Sequence, residues 1–160
     1  MRYDYAPDLQ AQADEISKIL FPHVKVDHVK CYRSFGTSSR GTIARCHALG
    51  KLLQKALDVK AIYALEFLHE RFDKLSSEEQ TKVIIHELMH IPFTFGGGFK
   101  HHDHVTQRNV DLDYKTYINL KREKEKFTEN VNKSPDVPLT NFTINPTVVE
   151  EKKSWKWFGG

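Results

Sequence analysis

The sequence predicts an α+β domain, a small mixed sheet packed on helices, and three observations predict it. Helical amphipathic periodicity opens the chain, β-branched runs follow, and an apolar helical segment comes directly after the clearest strand. With 160 residues, 39% of them apolar and 28% charged, the chain is long enough for one domain with its own core and short for two.

Leu9, Ala13, Ile16 and Leu20 share one helical face, so residues 7–21 form a helix that Pro7 starts and Pro22 ends. Residues 24–32 are β-branched and partly alternating, which suits a strand. A turn at 36–41 leads to a second strand at 42–48, and Leu49, Leu52, Leu53, Ala56 and Leu57 mark a helix over 49–58. Residues 61–68 are the clearest strand.

The next helix, 78–91, has a well-specified start. Ser76 or Ser77 offers an N-cap hydroxyl, Glu79 or Gln80 follows three residues later, and Pro92 stands at the far end. A long helix over 103–127 places Val110, Tyr114, Tyr117 and Ile118 on one face, ahead of mixed-sign charges at 121–126 that read as solvated surface. A single domain over 1–128 is therefore expected. Residues 129–160, with Pro135, Pro138 and Pro146, read as an extended or disordered tail whose aromatic end, Trp155-Lys156-Trp157-Phe158, docks on the body.

Within the 78–91 helix lies His86-Glu87-Leu88-Met89-His90. Ile84, Leu88 and Ile91 form one stripe, and His86 and His90 point away from it, one turn apart on the same face. Two imidazoles so placed can bind one metal ion, with Glu87 beside them as a general base on water. A catalytic zinc site usually takes a third protein ligand. Gly96-Gly97-Gly98 permits a tight reversal, after which His101, His102 and His104 compete for that position and Asp103 can support a ligand ring.

Tyr32-Arg33-Ser34-Phe35-Gly36, Gly41-Thr42-Ile43-Ala44-Arg45, Phe72-Asp73-Lys74-Leu75-Ser76, the pentad with Ile91-Pro92, and Phe95-Gly96-Gly97-Gly98 ending at His102 carry a family resemblance. Over residues 32–110 the chain resembles a metallopeptidase family of prokaryotes and their viruses, small HExxH zincins similar in style to SprT-like proteases. The resemblance implies a minimal zincin-like fold whose HExxH helix lines the cleft, one zinc ion on His86, His90 and His102, Glu87 as catalytic base, and a protein or peptide substrate. Histidines on both sides of His102 depart from the family pattern. Zincins pair extended substrate with an edge strand, and 61–68 or 42–48 suits that role. Arg40, Tyr63, Tyr114 and Tyr117 are the candidate oxyanion donors.

Net charge is only +3, with the basic excess spread along the chain, so nucleic acid is a weakly supported partner. The chain shows no apolar run of membrane-spanning length and no secretion signal at its start, which suggests a cytoplasmic protein with no membrane partner. Cys31 and Cys46 read as core thiols rather than a disulfide. The rival functions are a non-catalytic zinc module closed by a fourth ligand, His101 or His104, and a DNA-associated module, whether SprT-like or helix-turn-helix. The last would need a far shorter turn between its helices than this chain provides.

Overall fold

Two helices pack one face of a four-stranded mixed sheet in the computed structural model, which describes residues 1–133. The strands are β1 (Arg2–Tyr5), β2 (Val29–Phe35), β3 (Ala44–Ala48) and β4 (Tyr63–Leu68), in the spatial order β1-β2-β4-β3. The helices are α1 (Pro7–Leu20), α2 (Lys51–Leu57), α3 (His69–Phe72), α4 (Ser77–Met89) and α5 (Gln107–Lys133). The chain divides into two units, 1–124 and 125–160, and everything described below lies in the first. The expected tail lies, from residue 134 on, outside the described residues.

β2 and β4 run parallel at the centre of the sheet, with β1 antiparallel to β2 and β3 antiparallel to β4. Parallel neighbours need a long crossover, and a central strand is covered on both faces. Five of the six β4 residues, Ala64 excepted, are buried, and the one charge among them, Glu66, is paired with Arg45 and His47. Leu9, Ala13 and Ile16 of α1 and Ile84, Ile85 and Leu88 of α4 share one core with Val29, Cys31, Tyr63, Leu65 and Phe67 of the sheet. The Cys31 thiol is free, and burial pushes it up to about 12, the behaviour of an inert core thiol.

Three of the differences from the sequence expectation have local reasons. A 3₁₀ turn over Val26–His28 occupies the front of the expected 24–32 strand, so β2 begins at Val29. β1 has all four residues exposed and thus no core-facing pattern to reveal it. The last helix starts at Gln107 rather than 103, because the Thr106 hydroxyl accepts the Asn109 N–H at 3.3 Å in the manner of an N-cap. Residues 101–106 are left as a loop.

Candidate metal centre

The capping box that starts α4 forms as the sequence requires. The Ser76 hydroxyl accepts the Glu79 N–H at 3.3 Å, and the Glu79 carboxylate accepts the Ser76 N–H at 2.9 Å. Thirteen residues of helix then bring His86, Glu87 and, at the C-cap, His90 to the open side, while Ile84, Ile85 and Leu88 are fully buried on the other.

Beyond Pro92 the chain reverses through Phe95 (φ 45°) and Gly97 (φ 83°). Only glycine fits at 97, since a Cβ there would collide with the Gln54 side chain and the Leu49 carbonyl. The Tyr63 hydroxyl secures the turn from the core, donating to Gly98 O at 3.0 Å and accepting from Gly97 N at 3.0 Å. Gln54 adds a hydrogen bond to Gly96 O at 3.1 Å. The returning chain then reaches Lys100, whose N–H donates to His90 O at 2.8 Å.

This return brings His102 to the pair. The ring centroids of His86 and His90 are 4.9 Å apart, those of His90 and His102 4.7 Å, and those of His86 and His102 5.4 Å. One ring nitrogen from each lies within 4.8 Å of the others, a spacing at which the three could hold one metal ion. His101 and His104 stand outside this group. Asp103 is exposed, with His104 rather than a grouped histidine as its ion-pair partner at 3.5 Å. The support for a ligand ring comes instead from the main chain, as His90 Nδ1 donates to Lys100 O at 2.6 Å. That bond fixes the neutral tautomer and leaves Nε2 of His90 as a lone pair, 3.2 Å from Nε2 of His86.

Electrostatics agree with this donor set. Burial, helped by the two neighbouring imidazoles, pulls His86 down to about 4. Burial also lowers His90, against the opposing pull of the Lys100 carbonyl. Both rings are thus neutral at pH 7, the form in which imidazole binds a metal, so the residues present fit an ion. Glu87 is 6% exposed, and burial raises it to about 7 against the opposing pull of the Cys46 backbone N–H.

A cleft of about 720 Å³ opens over these groups, bordered by β3 and residues 41–43 on one side and by α4, Phe99 and the start of α5 on the other. Arg40, Tyr63, Tyr114 and Tyr117, the candidate oxyanion donors, do not line it. Tyr63 serves the glycine turn, and Tyr117 hydroxyl donates to Glu15 at 3.3 Å. Cys46 is a free thiol packed against the core, as expected, and it also borders the cleft. The sequence carried a signal for Tyr63, an aromatic in the clearest strand, but none for its long-range partner.

A buried HExxH helix, three converging imidazoles and a carboxylate beside them define a candidate centre of the metallopeptidase class. The family described as Putative phage metallopeptidase matches residues 1–131, and the chain belongs to it. Membership implies a metal ion, and the histidine triad could hold one. A search of curated proteins finds no match, and neither does a search of solved structures.

Proposed function

We propose that this protein is a zinc-dependent peptidase in which Glu87 acts as the general base. The observation that carries the reading is the meeting of His86, His90 and His102 with a buried, proton-hungry carboxylate in one cleft. His86, His90 and His102 would hold the ion. When bound, zinc supplies Lewis acidity, easing the ionisation of water and polarising a carbonyl.

The remaining work falls to the chain. Glu87 takes a proton from water as its oxygen adds to the peptide carbonyl, then delivers that proton to the departing amine as the C–N bond breaks. A carboxylate near pH 7 in affinity suits both directions of that transfer. The Cys46 backbone N–H beside it favours the charged form that accepts the proton.

β3 is the strand positioned to align substrate. Leu68 N donates to Ile43 O and Leu49 N to Ile62 O, both at 2.9 Å, so odd-numbered residues of β3 face β4, and the groups of Ala44 and Ala48 and the Cys46 carbonyl face outward, with the Cys46 N–H turned to Glu87. An extended peptide adding there gains main-chain hydrogen bonds without sequence demands. β4, the other candidate, is interior and has no free edge.

A non-catalytic zinc module is less well supported, because such sites are normally closed by four protein ligands and the group found among the described residues has three. We retain a cytoplasmic location in the proposal; no helix among the described residues is long and apolar enough to cross a membrane. The test is metal analysis of the purified protein with a casein cleavage assay. Close to one zinc per chain, lost in His86→Ala and His90→Ala, is the expected result, and no zinc with no cleavage would refute the reading.

A further inference from the structure

Helix α2 inverts the usual arrangement of a surface helix. Its one part-buried residue is polar: Gln54, which spends its amide on Leu49 O at 2.6 Å and Gly96 O at 3.1 Å. Its leucines face outward, with Leu52, Leu53 and Leu57 exposed by 82%, 54% and 62%. At 100° per residue these three and Ala56 cover an arc of about 140°, a continuous apolar strip with no partner element among the described residues. Such a strip on a soluble surface marks an interaction site.

Two features choose the occupant. Lys51, Lys55 and Lys60 are exposed around the strip, against one acidic residue, Asp58, so the surround is basic. The strip also starts close to the edge strand that borders the cleft, since only Leu49 and Gly50 separate α2 from β3. A chain paired along β3 and running past Ala48 comes within reach of α2. A second copy fits poorly, because a few hundred Å² of leucine surface falls well short of the roughly 800 Å² per partner of a stable dimer.

We propose that the exposed face of α2 is a docking site for the polypeptide to be cleaved, and that it takes a segment combining apolar side chains with acidic ones. This rests on the peptidase reading and adds a substrate class to it: unfolded, acidic segments long enough to span both β3 and α2. Short peptides that fill the cleft alone gain nothing from it.

The experiment uses the full chain in the Glu87→Gln form, so that binding is read without cleavage. The probe is a fluorescein-labelled peptide of about twenty residues with leucines spaced among glutamates, followed by anisotropy, beside a control with lysines for the glutamates. The expected result is preference for the acidic peptide, with binding weakened about tenfold by Leu52→Ser/Leu57→Ser and again by Lys51→Glu/Lys55→Glu. In the Glu87 form, the leucine variant raises KM for a long acidic substrate about tenfold, leaves kcat unchanged and leaves a tetrapeptide unaffected. Equal binding of both peptides, unchanged binding by both variants, or a dimer in light scattering that the leucine variant dissolves would each overturn the proposal. Peptide binding that depends on α2 in a protein that cleaves nothing would instead refute the peptidase reading and leave the docking site standing.

Discussion

Lys100 grips His90 twice, its N–H donating to the His90 carbonyl at 2.8 Å and its own carbonyl accepting the His90 ring proton at 2.6 Å. A loop residue ten positions downstream thus sets the tautomer of a candidate ligand on α4. The expected outcome in nitrogen-15 NMR of the metal-free protein is a neutral His90 protonated at Nδ1 at pH 7. A ring protonated mainly at Nε2 would show that the lone pair does not face the centre.

The turn that delivers Lys100 hangs on the Tyr63 hydroxyl, which is fully buried. Tyr63→Phe keeps the ring and its packing on Phe95 but orphans the Gly97 N–H and the Gly98 carbonyl. A loss of about 1–3 kcal/mol in urea unfolding is expected. Zinc affinity, read by competition with a chromophoric chelator, is expected to fall about tenfold or more, as for lost support of a metal ligand. Unchanged affinity would mean that the turn finds its place without the hydroxyl.

Two glycines make a matched comparison. Gly97→Ala meets both a left-handed φ and the Gln54 and Leu49 atoms, so it displaces the turn and weakens zinc binding by more than Tyr63→Phe does. Gly50→Ala at the α2 N-cap has φ −64° and open space around it, and is expected to cost only a few tenths of a kcal/mol in stability. Thermal unfolding and zinc titration of the pair check both statements.

The metal-free protein should carry the cost of burying Glu87 as a pH signature. Its folded value, about 7, lies above the 4.5 of a free carboxylate, so the native state holds the proton more tightly than the unfolded chain. Stability from this group is complete below about pH 4.5 and is lost as pH rises to about 7, by on the order of 3 kcal/mol. Glu87→Gln does not titrate. Its stability relative to wild type, measured by urea unfolding in chelator, should therefore rise between pH 5 and pH 8. A constant difference would contradict the burial of that carboxylate.

What the sequence made legible was whatever one local signal determines. The Ser76–Glu79 capping box and the apolar stripe of Ile84 and Leu88 read correctly because each partner lies within a turn or two of helix. His101, His102 and His104 looked equivalent because the choice among them depends on a chain reversal held by Tyr63 and Gln54, more than thirty residues away. The same holds for the edge strand: 42–48 and 61–68 resembled each other locally, and only the pairing of β4 with β2 puts β3 outside. Cys46 packs against the core as read, but that its strand also borders the cleft had no local signal. α2 showed a helical pattern, but no pattern says whether the leucines it gathers have anything to meet.

The measurement closest to the central claim is cleavage of casein by wild type and Glu87→Gln, each assayed with its zinc content determined on the same sample. The account predicts that both bind about one zinc, and that the variant loses on the order of a thousandfold or more in kcat. A variant that cuts as fast as wild type, or a zinc-loaded wild type that cuts nothing, would contradict it.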